Sequence, residues 1–284
     1  MKLLKEGIPL IEEYNYLLKN KSYLEMEKFS NKFLLENQKT LDDYGKRWVR
    51  DPFHQWSRQW EYPFAFSYIQ DYLNGSEGDV FSKNVLDVGS GVTFFPYYLV
   101  VNDKLNLDCF DLNNDLKSIY EQINQKTTQS VNFYHGDIHR LPFSDESYDV
   151  LYCISVIEHC VNHRKIVQEL NRVLKRNGRL IVTFDISLDG FTKVSVPQAL
   201  ELIYDFSKYF NPAFDFEPTN YLDQLANGLE NQILTTRYIK EYDESLLPKW
   251  SNTLWSKFTK VLKFKNPFYF PLLTCFCLVF EKNS

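Results

Sequence analysis

Glycine is scarce in this chain, and the cysteines follow no framework pattern. Glycine occurs ten times in 284 residues, about half of the roughly 7% share that is usual. The cysteines are odd in number and scattered, namely Cys109, Cys153, Cys160, Cys275 and Cys277, a pattern that does not indicate a disulfide framework. Cys275 and Cys277 alternate like neighbours on one strand face, and no second pair completes a metal site. We therefore expect a reducing, cytoplasmic location.

Long apolar runs and a basic charge excess are also missing. The most apolar stretch, residues 268–280, is too short to cross a bilayer as a helix. The N-terminus starts like a signal peptide, but Glu6, Glu12 and Glu13 interrupt it before a long apolar core develops. With a net charge of −5, the chain lacks the basic footprint of a nucleic-acid-binding protein. We expect neither a membrane nor a nucleic-acid partner.

Aromatic residues are abundant, at 17% of the chain. Such side chains either fill the core or line a partly aromatic binding cleft, and composition leaves both interpretations open. The length suits one large domain with additions.

Hydrophobic periodicity divides the chain into two regions. Residues 1–70 show helical spacing of apolar side chains. From residue 84 onward, short apolar strands alternate with helices; the predicted strands are 84–89, 106–112, 131–137, 148–157 and 179–186. This alternation predicts a doubly wound α/β fold, with a mostly parallel sheet covered by helices on both faces.

Beyond Asp185 the alternation becomes irregular. The pattern predicts helices at 197–210 and 253–264, and strands at 231–239 and 272–282. We expect a helical N-terminal extension or lid over residues 1–80 and a main domain over 81–284. Within the main domain, residues of about 186–230 form a helical, substrate-side insertion after the fifth strand.

Two of the ten glycines, Gly89 and Gly91, directly follow the first predicted strand. Ligands of open α/β sheets bind at the carboxyl ends of strands. Glycine is needed where backbone approaches a ligand without interference from a Cβ atom. The turn is therefore predicted to form the floor of a cofactor site.

The residues around this turn favour a cationic cofactor. A dinucleotide site would place a third glycine at position 94, where this chain has Phe94. Asp87 would also face the anionic pyrophosphate. An NAD-dependent oxidoreductase is accordingly a disfavoured alternative.

On these residues the sequence resembles the class I S-adenosylmethionine-dependent methyltransferases, particularly those that act on small molecules. Asp87, Gly89 and Gly91 match the family's first motif, and Thr93 replaces its third glycine. The resemblance implies a Rossmann-like methyltransferase domain with S-adenosylmethionine as cofactor. Asp87 would neighbour the cofactor's amino group, and Gly89, Ser90 and Gly91 would line its site.

The resemblance continues in register along the next two strands. Asp111 lies 20 residues beyond Gly91, where the family has an acid that binds both ribose hydroxyls, and Leu112 would contact the cofactor beside it. Asp137 would receive the adenine amino group, and Ile138 would pack on the ring.

The predicted fourth strand resembles the family motif that ends in Glu158 and His159. Ser155 would lie beneath the cofactor. His159 is the candidate general base, because an imidazole titrates near the working pH; alternatively, it only anchors the following helix. Metal-binding members of the family carry an acid at the position of Ser155, so we expect no metal.

The segment before the first strand contains a second group of candidates. Arg58 is positioned to pair with the methionine carboxylate of the cofactor, and Tyr62 to donate a hydrogen bond nearby. The alternative is an amphipathic helix that packs Trp56 and Trp60 on the sheet and leaves Arg58 solvated. His54 is a second candidate base.

The resemblance implies methyl transfer from S-adenosylmethionine to an oxygen or nitrogen of a small molecule such as a sugar, an amino acid or a secondary metabolite. The aromatic flanks 44–66 and 206–221 are predicted to close over the acceptor. The alternatives from other classes are a non-catalytic S-adenosylmethionine-binding module and the NAD-dependent oxidoreductase.

Overall fold

One mixed sheet organises the part of the chain that the computed structural model describes. The described residues are 2–45, 51–75, 83–103, 105–191, 194–213, 232–248 and 270–282. In sequence order, the strands of these residues are β1 (Asn84–Val88), β2 (Asn106–Asp111), β3 (Asn132–His135), β4 (Tyr148–Ile154), β5 (Leu174–Ser187), β6 (Val194–Ser195), β7 (Phe210–Pro212) and β8 (Leu273–Lys282). Across the sheet the order is β3-β2-β1-β4-β5-β8-β7, and β6 pairs with the end of β5.

The strand directions confirm a mostly parallel, doubly wound sheet. Strands β1 to β5 pair in parallel, whereas β8 lies antiparallel between β5 and β7. The chain runs outward from β1 to β3 and then returns to the other side of β1 at β4. Because the connections diverge between β1 and β4, the carboxyl ends of these two strands open a crevice for a ligand.

Helices cover both faces of the sheet. They are α1 (Ile11–Leu17), α2 (Lys21–Glu36), α3 (Gln38–Gly45), α4 (Arg58–Gly75), α5 (Phe95–Asp103), α6 (Leu116–Asn124), α7 (His163–Val173), α8 (Val196–Ser207) and α9 (Thr236–Tyr242). Side chains alternate between the faces along each strand. Accordingly, Val85 and Tyr152 belong to the core shared with α1, α2, α4, α5 and α6, while Leu86 and Leu151 belong to the core shared with α7 and α8.

The aromatic surplus of the N-terminal region packs against α5. The Phe94 ring lies 5.2 Å from the rings of both Phe53 and Tyr62, measured between centroids. Trp60 is buried to 1% exposure in the same core. For these residues, the aromatic content serves core packing between the N-terminal helices and the sheet domain.

The first residues of the chain are joined to its last strand. Gly7 and Cys277 exchange two backbone hydrogen bonds, of 2.7 and 2.9 Å. All five cysteines are free thiols. No helix among the described residues is long and apolar enough to cross a membrane.

The observed helices and strands differ from the predicted ones at two places in the second half of the chain. The sequence pattern predicts one helix over residues 163–178, between the fourth and fifth strands, but α7 ends at Val173 and β5 begins at Leu174. The predicted strand 231–239 is wrong: among its described residues only Ile233 makes an isolated bridge, to Leu10. The Thr235 hydroxyl accepts a hydrogen bond from the Tyr238 amide and caps α9, so local capping prevails over the strand propensity of this segment. The predicted helix 197–210 is confirmed as α8, which starts in a capping box at Ser195, and the predicted helix 253–264 lies outside the described residues.

Candidate active site

The glycine turn joins the end of β1 to the neighbouring strands. Gly89 and Gly91 adopt positive φ angles of 78° and 52°, which glycine adopts at little cost. The Gly89 and Ser90 amides both donate to the Phe110 carbonyl, at 2.8 and 3.0 Å. A Cβ atom on Gly89 would lie 2.5 Å from the Val156 side chain. Glycine at position 89 therefore allows the turn to pack against the segment that follows β4.

Asp87 is a buried carboxylate at the end of β1. It is 5% exposed, and burial raises the pKa of its carboxyl well above its usual range. The nearby Tyr152 hydroxyl opposes this increase in the pKa, and the nearby charge of Asp111 adds to it. A cation placed beside Asp87 would stabilise the ionised form, so the site is suited to a positively charged ligand group.

Asp111 ends β2 with each carboxylate oxygen held by one backbone amide. The Gly91 amide donates to Oδ2 and the Asn113 amide to Oδ1, both at 2.9 Å. A carboxylate oxygen has two lone pairs, so each retains one for a further donor, which suits a vicinal diol. Leu112, next to it, is 72% exposed and is available for contact with a ligand.

Two tyrosines fix the remaining part of the turn. The Tyr44 hydroxyl accepts a hydrogen bond from the Val92 amide at 3.1 Å, and burial raises the pKa of Tyr44 to about 12. The Tyr120 hydroxyl donates to the Gly91 carbonyl at 2.8 Å. Sequence reasoning included Tyr44 only as part of an aromatic flank and missed Tyr120.

The departure from the glycine motif has a local explanation. The Thr93 hydroxyl accepts a hydrogen bond from the Phe95 amide at 3.3 Å, at the start of α5. Phe94 points into the core that holds the N-terminal helices. These two positions therefore cap a helix and dock the extension, which are tasks that glycine cannot perform.

The loop after β3 lies next to the end of β2. The Gly136 amide donates to the Asp111 carbonyl at 3.0 Å. Asp137 Oδ1 accepts from the His139 amide at 2.9 Å and lies 2.6 Å from His139 Nδ1. The Asp137 side chain is 62% exposed and Ile138 packs against the core on the α7 side.

Ser155 connects the end of β4 to α4. It adopts a positive φ of 50°, and its hydroxyl donates to Glu61 Oε1 at 2.8 Å. Arg58 donates to both Glu61 and Ser155 through Nη1. Arg58 is thus held by an ion pair at the sheet edge rather than solvated, and sequence reasoning missed Glu61.

The two candidate bases have different surroundings. His159 is exposed, in the 3₁₀ turn Ile157–His159 that follows Ser155. Both ring nitrogens of His54 face carboxylates, with Asp51 at 2.7 Å and Glu27 at 3.3 Å. The hydrogen bond to Asp51 is the main cause that raises the pKa of His54, so it acts as an ion-pair partner within the extension.

The structure brings most of the predicted residues to one edge of the sheet. Arg58 contacts Ser155, and the next residue, Val156, packs against Gly89. Asp111 accepts hydrogen bonds from the amides of Gly91 and of Gly136, which precedes Asp137. Tyr62, next to Glu61 on α4, is buried against Phe94. Among the described residues, no group of three or more His, Cys, Asp or Glu side chains is arranged to hold a metal ion.

Comparison with known proteins identifies the family of this site. Residues 86–182 match the family model of the methyltransferase domain. A sarcosine/dimethylglycine N-methyltransferase of Aphanothece halophytica is 31% identical over 108 residues, 37% of this chain and 39% of the relative. A ubiquinone biosynthesis O-methyltransferase of Rickettsia prowazekii is 26% identical over 53% of this chain and 62% of its own length. The chain therefore spans about two fifths of the length of the first relative.

A solved structure has the same fold. The phosphoethanolamine N-methyltransferase 2 of Haemonchus contortus, in complex with phosphomonomethylethanolamine and S-adenosylhomocysteine, superposes with a TM-score of 0.54 at 14% identity. The match covers 90% of this chain and 60% of that one.

Fold and site together define an α/β domain built around a glycine turn and two strand-end acids. Over residues 86–182, the chain contains a methyltransferase domain of the class I S-adenosylmethionine-dependent type.

Proposed function

We propose that the protein transfers a methyl group from S-adenosylmethionine to an oxygen or nitrogen of a small molecule. The observation that carries the proposal is the pairing of a buried carboxylate, Asp87, with the half-satisfied carboxylate of Asp111 across the glycine turn. The relatives methylate nitrogen in one case and oxygen in another, as their names state. Both acceptor atoms therefore remain in the proposal.

The donor set fits the cofactor at its charged and polar groups. Asp87 binds the amino group, Asp111 binds the ribose hydroxyls, and Asp137 with Ile138 and Leu112 receives the adenine. Gly89, Ser90 and Gly91 form the floor, with Ser155 beneath. The bound cofactor supplies an activated methyl group on a sulfonium, so the chain's own task is to align the acceptor and exclude water.

The N-terminal region forms the lid in this proposal. The described helices of residues 1–80 cover the cofactor side, and the domain of residues 81–284 supplies the sheet. Of the substrate-side insertion proposed for residues of about 186–230, residues 214–230 lie outside the described residues. Support comes from the Tyr44 and Arg58 contacts with the turn and with β4. Tyr62 contributes to the same lid, since its ring packs on Phe94.

His159 acts as general base if the acceptor is a hydroxyl. Its exposure leaves the imidazole accessible to an acceptor at the carboxyl edge of β4. An amine only has to be presented unprotonated, and a base is then dispensable.

The free thiols of all five cysteines support a reducing compartment, and we place the protein in the cytoplasm. Its partner is a small-molecule acceptor rather than a nucleic acid.

Two measurements test the function. Calorimetric titration with S-adenosylhomocysteine and with NAD is expected to show binding of the first ligand only. A mass-spectrometric screen for the gain of one methylene across sugars, amino acids and phenols is expected to identify an acceptor. Binding of NAD instead would make the protein an oxidoreductase candidate, and cofactor binding with no methylated product in an extended panel would favour a non-catalytic module.

A further inference from the structure

The fully buried carboxylate of Glu61 is not explained by core packing. Its residue is 0% exposed, and burying a carboxylate costs free energy unless donors surround it. Three elements supply those donors. The Thr183 hydroxyl of β5 and the Ser155 hydroxyl at the end of β4 donate to Oε1 at 2.6 and 2.8 Å, and Arg58 of α4 donates to Oε2.

This arrangement determines where the Arg58 guanidinium lies. In the part of the chain that the structure describes, its hydrogen bonds to Glu61, Ser155 and Ser57 all use Nη1. Nη2 and Nε belong to the same planar fork, which is suited to bidentate recognition of a carboxylate. Fixing one nitrogen of a rigid fork fixes the direction of the others.

The fixed fork lies beside the glycine turn. Ser155 holds Nη1, and the next residue, Val156, is the one that a Cβ atom on Gly89 would meet. The turn is the part of the proposed site that receives the methionine end of the cofactor. The carboxylate at the methionine end of the cofactor would therefore lie near the Arg58 guanidinium.

We infer that Glu61 is a positioning residue: it holds Arg58 so that the guanidinium receives the methionine carboxylate of the cofactor. The inference rests on the proposed function. It makes a prediction opposite to that of simple charge neutralisation. Removal of the Glu61 charge makes the surroundings of Arg58 more positive, which strengthens carboxylate binding if charge alone matters. If position matters, the same change weakens binding.

Two ligands separate a positioning role from a structural one. S-adenosylhomocysteine carries the carboxylate, whereas 5′-methylthioadenosine keeps the adenosine and the sulfur and lacks the amino-acid end. For Glu61→Gln we expect calorimetry to show at least a tenfold loss of affinity for S-adenosylhomocysteine, with the affinity for 5′-methylthioadenosine within twofold of the wild type. Glu61→Asp keeps the charge, withdraws the carboxylate from Arg58 and is expected to show the same selective loss.

A matched control is available on α7. Glu169 and Arg172 form an ion pair with the same three-residue spacing, at 2.9 Å. The Glu169→Gln variant is expected to leave the affinities for both ligands unchanged. If Glu61→Gln does not fold, Thr183→Val removes only one donor to Glu61, and a smaller selective loss is expected.

The outcomes are decisive in both directions. Unchanged or tighter binding of S-adenosylhomocysteine by the Glu61 variants, or an equal loss for both ligands, overturns the positioning role and leaves the proposed function intact. A wild-type protein that binds neither ligand overturns the proposed function and this inference with it.

Discussion

The two acids at the strand ends of the site, Asp87 of β1 and Asp111 of β2, lie beside the same glycine turn and yet differ in their surroundings. Asp87 is buried with a raised carboxyl pKa, whereas the Asp111 oxygens are already hydrogen-bonded to backbone amides. A buried acid of this kind gains most from a cationic partner, and an acid preorganised by amides gains most from neutral donors. At the residue scale, these differences support an ammonium partner for Asp87 and a diol for Asp111.

The assignment of Asp111 predicts a loss of cofactor binding in Asp111→Ala. The variant removes the charged acceptor of the ribose hydroxyls, and we expect S-adenosylhomocysteine binding to weaken by about 1.5–3 kcal/mol. Asp108→Ala, on the same strand, removes a carboxylate that bonds to Asn132 and Tyr148 instead, and is expected to keep its affinity. Calorimetry measures both, and an unchanged affinity in Asp111→Ala would refute the assignment.

Replacement of Gly89 by alanine is expected to lower the free energy of unfolding for two separate reasons. In Gly89→Ala, the positive φ costs about 1–3 kcal/mol of unfolding free energy, and the contact with Val156 at 2.5 Å adds to it. Gly190 also has a positive φ, of 71°, but no atom lies within 4 Å of its Cβ position. Gly190→Ala therefore carries the backbone cost alone. Urea denaturation is expected to show the larger loss for Gly89→Ala; equal losses would contradict the packing argument.

At the element scale, one histidine joins two loops of the cofactor edge. His139 Nδ1 lies 2.6 Å from Asp137, and Nε2 lies 2.7 Å from the Val161 carbonyl. Both partners are acceptors, and a neutral imidazole donates only once. The hydrogen bond to the Val161 carbonyl is the main cause that raises the pKa of His139, and that to Asp137 adds to it. The link is therefore between an imidazolium and two acceptors.

This link predicts a pH dependence of the loop after β3. Because the folded pKa of His139 lies above its unfolded value of 6.5, its contribution is fully present below pH 6.5 and is lost as the pH rises through the folded pKa. An NMR titration is expected to give a pKa above 6.5 that falls in Asp137→Asn. Asp145→Asn, which removes a carboxylate paired with Arg172, serves as the control. A pKa at or below 6.5 in the wild type would contradict the imidazolium.

At the scale of the whole molecule, buried charges join the N-terminal region to the last strand. The Val279 amide of β8 donates to Glu6 Oε2 at 2.7 Å. Arg179 of β5 bonds to Asp71 of α4 at 2.7 Å and to Glu281 of β8 at 2.9 Å. These contacts join segments distant in sequence and attach the N-terminal region to the sheet.

The buried carboxyl of Glu6 predicts that stability falls as the pH rises from acidic to neutral. Burial raises the pKa of its carboxyl from 4.5 to about 7, so the folded state binds the proton more tightly than the unfolded state. The unfolding free energy therefore declines as the pH rises from 4.5 through 7, by about 3 kcal/mol. Glu6→Gln keeps an acceptor for Val279 and cannot ionise.

The difference between wild type and Glu6→Gln isolates this effect from other titrating groups. Urea denaturation at pH 5 and pH 8 is expected to show a smaller decline for the variant, which is then the more stable protein at pH 8. A parallel decline in both proteins would show that Glu6 is not the responsible group.

The sequence by itself determined the strands of the parallel sheet and the place of the glycine turn at its edge. The alternation of strands with helices and the acid and glycines at positions 87, 89 and 91 are local patterns, and each was confirmed in the sheet or brought to its carboxyl edge. Local patterns encode secondary structure and turns because they depend on neighbours within a few residues.

Only the tertiary structure decided the surroundings of Arg58. Glu61 lies 94 residues from Ser155 and 122 residues from Thr183 along the chain, and yet it accepts a hydrogen bond from both. Nothing near Glu61 in sequence distinguishes it from an exposed helix acid, because its role depends on α4 docking over the ends of β4 and β5. That docking results from burial of aromatic side chains such as Trp60 against the sheet, and the hydrophobic effect behind it is non-directional.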